Sequence, residues 1–394
     1  MQTLAYGLMG LPIGLLAYAY LGYPALLKLI SLSKPPVGPV PDPAEWPRIT
    51  ITVPCYNEER SIGATIESLL ALDYPADRRH VLIVSDASTD RTDEIVRTFA
   101  GRGVELVRLP ARGGKSAAEN AAGPYLRGEI VVNTDATIRI LPGSLRALVA
   151  VFQDPTVGVA SGRDISVGDL RSAGNQGESG YVGYEMWIRS LETRIGTIVG
   201  ASGCFFANRT SLHDPSFPNE LSRDFASCLI ARERGYRSVS VDTATALVPR
   251  GASLRSEYRR KVRTMARGLG TLYYKRRLLN PARFGGFSLM LFSHKLCRWL
   301  FQLTLPLLPV GALLFTLEHA WAMPWLLGAA GLGGVTAALA WHRPEARPLP
   351  TVLSTPGYLI WSNLAGAMAW IQFFRRKYQP VWEPTRRPEI QAAD

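Results

Sequence analysis

Three short apolar runs in this chain each end abruptly on acidic residues. Ile49-Thr50-Ile51-Thr52-Val53 runs into Pro54-Cys55-Tyr56-Asn57-Glu58-Glu59, and Val81-Leu82-Ile83-Val84 runs into Ser85-Asp86-Ala87-Ser88-Thr89-Asp90. The third is Val131-Val132-Asn133-Thr134, which meets Asp135-Ala136-Thr137. Continuous apolar runs of this length are the pattern of strands buried on both faces, as in a parallel sheet. The carboxyl edge of such a sheet is where α/β proteins bind ligands. Helix starts alternate with the runs: Asn57-Glu58-Glu59, Asp90 to Asp93, Gly113-Gly114-Lys115 and Pro142-Gly143-Ser144. Further apolar runs stand at 104–109 and 157–160. The expected core is an α/β domain over 48–250, a mainly parallel sheet with helices on both faces.

The ends of the chain differ from this middle. Leu4 to Leu32 is almost wholly apolar, with Lys28 its only charge. That is long enough to cross about 30 Å of hydrocarbon. Ala17-Tyr18-Ala19 resembles a cleavage site, but no Lys or Arg precedes the run, so an uncleaved anchor over 1–33 is expected. Lys28 and Lys34 follow it and place the domain in the cytosol by the positive-inside tendency. Six prolines between Ser33 and Pro47 make 34–47 a stiff linker. Three more apolar stretches, near 296–317, 322–341 and 358–374, suggest about three spans within 286–378, followed by a polar tail over 379–394. One span before the domain and three after it leave Arg375-Arg376-Lys377 outside, against the same tendency. The expectation is an integral protein of a bacterial-type inner or plasma membrane.

Charge adds a constraint. The net charge is +12, from 44 Lys and Arg against 32 Asp and Glu. Between Ser253 and Arg283 ten basic residues face one acid, Glu257, with Leu254, Tyr258, Val262, Met265 and Leu269 at helical spacing. Residues 251–285 therefore read as basic amphipathic helices at the membrane interface, the alternative being a solvated helix face. Nucleic acid is not an expected partner, because the basic run adjoins apolar spans rather than base-stacking aromatics. Cys55, Cys204, Cys228 and Cys297 are far apart and form no Cys-x-x-Cys pair, which argues against a zinc site or a disulfide framework.

In order, these motifs resemble the family 2 glycosyltransferases of GT-A fold, especially the membrane-integrated inverting enzymes related to hyaluronan, chitin and cellulose synthases and to ceramide glucosyltransferases. The resemblance covers roughly Ile49 to Gly268. It implies that Pro54, Tyr56 and Glu58 wrap the nucleoside and that Asp86 hydrogen-bonds the base. A strand-end carboxylate can accept from an imide N–H. Lys115, after two glycines, would face the diphosphate, and Asn120 would fix the same loop. Asp135 matches the first acid of the family's Asp-x-Asp, which implies Mg²⁺ or Mn²⁺ on the diphosphate. The second acid is Thr137 here, a weaker neutral ligand. Gly200, Ser202, Gly203 and Cys204 resemble the acceptor-side glycine segment. Asp224 stands in place of the family's general base, with Arg223 where an acid is usual. Arg260 and Arg263, at i and i+3, match the family's arginine pair for diphosphate, whereas its tryptophan is Thr264.

The resemblance implies transfer of a sugar from a nucleotide diphosphate, UDP expected, to a hydroxyl of a lipid or glycan acceptor. A single base without a nucleophilic carboxylate implies inversion. The arginine pair favours exopolysaccharide synthesis. The missing tryptophan keeps open single addition to a ceramide or polyprenyl glycolipid. Thr137, Arg223 and Thr264 also fit a third class, an inactive homologue serving as a scaffold, against which the other site residues all stand in place.

Overall fold

The computed structural model describes residues 1–167, 173–249, 254–342, 351–378 and 381. The expected tail thus lies outside the described residues, Val381 apart. Eight strands form one sheet: β1 (Ile49–Cys55), β2 (Arg79–Ser85), β3 (Val104–Arg108), β4 (Ile130–Thr134), β5 (Arg139–Ile140), β6 (Val157–Val167), β7 (Phe205–Arg209) and β8 (Arg237–Pro249). Their order is β3-β2-β1-β4-β7-β6-β8-β5. Every residue of β1 and β4 is buried, in keeping with their largely apolar sequence, and the buried Thr50, Thr52 and Asn133 are hydrogen-bonded. Ile51, Val53, Ile66, Val132, Leu145 and Phe205 lie in one core under the sheet.

The sheet is mixed, which corrects the expectation of a mainly parallel one. β3, β2, β1 and β4 are parallel, but β7 inserts between β4 and β6 antiparallel to both, and β5 is antiparallel to β8. The connection from β6 to β7 runs through the helix Ala173–Ile195 and the glycine segment 200–204 and returns β7 between β4 and β6 with its direction reversed. The five residues of β7, Phe-Phe-Ala-Asn-Arg, are too few to show a period.

Helix α1 (Gln2–Leu32) contains a π-turn at Tyr18–Gly22. At 1.5 Å per residue it is about 46 Å long, more than the hydrocarbon thickness. Short helix α2 (Lys115–Ala121) follows the glycine turn, and α3 (Ala173–Ile195) precedes the acceptor-side segment. Helix α4 (Arg223–Glu233) carries Asp224 in its first turn. Helix α5 (Leu254–Tyr274) buries Leu254, Val262 and Leu269 of its expected apolar face together with Ala266 and Leu272, while Tyr258 and Met265 are half-buried. Helices α6 (Gly286–Thr304) and α7 (Leu307–Glu318) meet at a bend of 48°. They are followed by α8 (Ala320–His342) and α9 (Thr351–Phe374).

Among the described residues, α1 and α8 are each long and apolar enough to cross a membrane, and α6–α7 makes a third if the bent pair is one span. Helix α9 covers α5: Tyr258 meets Trp361 at 5.7 Å and Tyr273 meets Phe373 at 6.0 Å between ring centroids. The apolar side of α5 is thus occupied by protein. The proline-rich linker also lies against the domain, where Pro41 and Pro47 carbonyls accept from Gln153 Nε2 (2.8 Å) and Tyr74 Oη (2.5 Å).

Candidate active site

The ends of β1 and β2 are stitched together by their own polar side chains. Asn57 Oδ1 accepts from Thr89 N (2.8 Å), Thr92 Oγ1 from Glu58 N (2.8 Å), and Asp90 Oδ2 from Glu59 N (3.1 Å). Asp90 Oδ1 also accepts from Thr92 N at 3.0 Å, the capping task its sequence suggests. Both loops turn through left-handed backbone without glycine, at Asn57 (φ 53°) and Ala87 (φ 57°). For Ala87 that conformation is strained by about 1–2 kcal/mol. The cross-loop bonds hold it.

Asp86 is fully buried. Its carboxylate accepts from both glycine amides of the next loop, Gly113 N at 2.7 Å and Gly114 N at 3.0 Å. The residue expected to meet a base is therefore the clamp that shapes the glycine turn. Gly114 has φ 87°, a left-handed angle that lets its amide face this carboxylate. Arg112, just before the turn, lies over the Tyr56 ring with its guanidinium 3.6 Å from the centroid. A planar surface with positive charge results at the expected nucleoside side.

Lys115 Nζ reaches Asp135 Oδ1 at 2.5 Å and donates to the Gly203 carbonyl at 2.7 Å. Burial alone would lower this ammonium's pKa, but Asp135 and Glu119 carry it above its ordinary value. Asp224 closes the group. A Cβ on Gly203 would lie 2.8 Å from Asp224 Oδ2, so only glycine lets that carboxylate approach. Asp224 is half-buried, and no described residue hydrogen-bonds or ion-pairs with its carboxylate. Thus Lys115, Asp135, Gly203 and Asp224, far apart in sequence, meet beyond the carboxyl ends of β1, β2 and β4.

Two residues of this neighbourhood, Glu119 and Arg267, were not foreseen. Glu119 is buried and faces Arg223 Nε at 3.8 Å. Burial raises its carboxyl pKa against the pull of Lys115 and Arg223. Arg223 on α4 is the ion-pair partner of this acid on α2. Arg267 donates to Ser116 Oγ (2.7 Å) and the Leu221 carbonyl (2.6 Å), tying α5 to the starts of α2 and α4. Its spacing, i+4 from Arg263, was the available signal.

The other expected residues are more dispersed. Pro54 is buried within β1, and Glu58 Oε2 accepts from Ser61 Oγ at 2.7 Å. Asn120 Nδ2 donates to the Phe217 carbonyl at 2.7 Å, which holds the loop before α4. Ser202 donates to Asp164 Oδ1 (2.6 Å) and accepts from Cys204 N (3.1 Å), while Gly200 lies beside Lys295. Thr137 is half-buried two residues beyond Asp135. Arg260 pairs with Glu257 through Nη2 at 2.7 Å, and Arg263 is half-buried on the helix face that carries Arg267.

Comparison with known proteins follows this geometry. The family described as Glycosyl transferase family 2 matches residues 50–215. The chain carries a family 2 glycosyltransferase domain. This transferase domain is 38% identical over 117 residues to a beta-monoglucosyldiacylglycerol synthase of Synechocystis sp., covering 29% of this chain and 24% of that protein. An N-acetylglucosaminyltransferase of Mesorhizobium japonicum is 28% identical over 253 residues, covering 57% of this chain and 58% of the relative. These matches span less than two thirds of either relative. The solved mannosyltransferase PcManGT of Pyrobaculum calidifontis, in complex with GDP-Man and Mn²⁺, is 26% identical. It superposes with a TM-score of 0.69 over 94% of this chain and 99% of that one. The GT-A fold and its flanking helices are therefore shared with a glycosyltransferase.

Proposed function

We propose that the chain is a membrane-bound inverting glycosyltransferase. It moves a sugar from a nucleotide diphosphate to a hydroxyl of a membrane-associated acceptor. The observation that carries this reading is Asp224: a half-buried carboxylate without a protein partner among the described residues, set against Gly203, whose carbonyl holds Lys115. A neutral alcohol is a poor nucleophile. Asp224 would take its proton as the oxygen attacks the sugar's anomeric carbon and the diphosphate leaves. Lys115, Arg263 and Arg267 would receive the charge of that leaving group, and Arg112 on Tyr56 would face the base. UDP is the expected nucleoside diphosphate, although the superposed mannosyltransferase holds GDP-Man.

A divalent cation, Mg²⁺ or Mn²⁺, fits this site in one way. Among the described residues no group of three or more His, Cys, Asp or Glu side chains is placed to hold a metal. Asp135, whose Oδ1 meets Lys115 Nζ at 2.5 Å, and Thr137, two residues on, would offer oxygens to a hard cation whose remaining ligands would come from the diphosphate and water. Such a cation supplies charge neutralisation on the leaving diphosphate. The catalytic domain would face the cytosol, where sugar nucleotides are made.

For the product, the arginine pair favours a growing exopolysaccharide. One observation favours a single lipid acceptor instead: Thr264, in place of the polymerising enzymes' tryptophan, lines a cavity walled by apolar helices. Purified full-length protein should release nucleoside diphosphate from one sugar nucleotide when Mg²⁺ or Mn²⁺ is added, and the release should stop with chelator. No release across a broad donor and acceptor panel would overturn the enzyme reading and leave the scaffold. Sizing the product from one labelled donor then separates polymer from single addition.

A further inference from the structure

A cavity of about 980 Å³ opens between α1, α3, α5, α6 and α9. Its walls combine apolar side chains, among them Leu16, Met265, Phe301 and Leu359, with four cations: Arg260, Lys261, Lys295 and Arg298. Among the described lining residues there is no carboxylate. The acids that compensate these cations lie behind the wall. Arg260 and Lys261 share Glu257 (2.7 and 3.5 Å), and Lys295 and Arg298 share Glu185 (3.0 and 2.7 Å). The carboxylates hold the cations in the wall, with Arg189 and His294 also on Glu185, and Lys261 Nζ lies 5.1 and 5.3 Å from the ring centroids of Tyr181 and Tyr358, which line the same cavity. A solvent-filled cleft would not need this arrangement. An apolar chamber faced with held cations matches a molecule that is apolar along its length and anionic at one end.

The cavity wall adjoins the helix that carries Asp224. A Cβ on Gly200 would lie 3.3 Å from Lys295 Cε, and Lys295 Nζ lies 6.0 Å from the ring centroid of Phe225, the residue after Asp224. Trp299, on the same wall, meets Phe225 edge-on at 6.0 Å. We propose that this cavity binds the phosphate headgroup of a lipid, with Lys261 and Lys295 as its cationic contacts and the lipid chain along the α1–α9 wall. Where that lipid is itself the acceptor, the inference rests on the transferase reading; the binding site does not. A phosphate-bearing acceptor and a bilayer phospholipid share this chemistry.

The test uses full-length protein in detergent, with retained lipid measured by native mass spectrometry. The probes are polyprenyl phosphate, dioleoyl phosphatidate and uncharged dioleoylglycerol. A phosphate lipid should be retained at least ~10-fold better than dioleoylglycerol, as expected for charge-assisted hydrogen bonds in a partly desolvated site. Lys261→Met should weaken that retention about tenfold by removing charge alone. Ser362→Trp, which fills the cavity from α9, should abolish it. Equal retention of dioleoylglycerol, or phosphate-lipid retention unchanged in both variants, would overturn the site. The preference of the unmodified protein needs no variant and stands even if one misfolds. Adding donor then separates the sources: a glycosylated phosphate lipid is the acceptor, whereas one that stimulates transfer without being glycosylated is a bilayer ligand. Retention without nucleotide release under any condition would count against the transferase reading and not against the cavity.

Discussion

The protein holds two clusters of buried charge, and they are built on opposite terms. At the sheet edge, Lys115 and Asp135 are paired, Glu119 and Arg223 face each other at 3.8 Å without a hydrogen bond, and Asp224 has no partner among the described residues. At the membrane side, Glu185 is met by His294 (3.0 Å), Lys295 (3.0 Å) and Arg298 (2.7 Å), and Glu192 by Tyr23 (2.6 Å) and His294 (2.7 Å). The second cluster ties α1, α3 and α6 together. The denser network fixes the helices that carry it, although Glu192 Oε2 and Arg298 Nε and Nη2 have no hydrogen-bond partner among the described residues, whereas the sparser one keeps groups ready for a ligand.

That contrast can be broken experimentally. Asp224→Asn should lower turnover by about 10²–10⁴-fold, the usual worth of a general base, with donor KM and unfolding temperature unchanged. Lost stability with normal residual transfer would instead make Asp224 a structural cap. Glu185→Ala should do the reverse. It strands several buried cations, a defect of about 3–5 kcal/mol, so the apparent unfolding temperature in detergent should drop sharply. A variant as stable as the parent would remove the cluster's structural role.

Two smaller effects sharpen the picture of the sheet edge. Burial and Arg223 push the His213 imidazole down to about 4, so the fold holds it neutral. The unfolded imidazole titrates near pH ~6.5. Between those values the unfolded chain binds a proton that the folded one refuses. Stability is therefore complete above about pH 6.5 and falls as the pH drops toward 4, by about 2–3 kcal/mol at most. His213→Asn should flatten the unfolding temperature over that window, and an unaltered slope would show that His213 is not its source. Smallest is Ala87→Gly. It relieves a left-handed alanine but frees the unfolded chain, for a net gain of about 0.5–1 kcal/mol in thermal unfolding. A loss would mean that the cross-loop bonds to Asn57 depend on the alanine.

Much of this was legible before the structure, because local chemistry carried it. Strands buried on both faces keep a mostly apolar sequence, so β1, β2 and β4 could be read directly, and strand direction put Asp86 and Asp135 at the carboxyl edge of the sheet. The five residues of β7 show no period and were not read as a strand, and with them went the mixed character of the sheet. Asp86 shows a different limit. Its position followed from the sequence, but its engagement with the amides of Gly113 and Gly114 required the β2 and glycine loops to be brought together.

The chain's order of residues by itself determined the apolar ends, the α/β middle and the family-like run of motifs, each a property of short segments. Only the tertiary structure decided that the Asp224 carboxylate, arriving on another helix, comes to rest against Gly203. It also decided that Arg223 faces Glu119, and that α5 packs its apolar side on α9. Compensation between distant charges leaves no mark on either segment alone, since each partner's cost is lifted only by the other's approach.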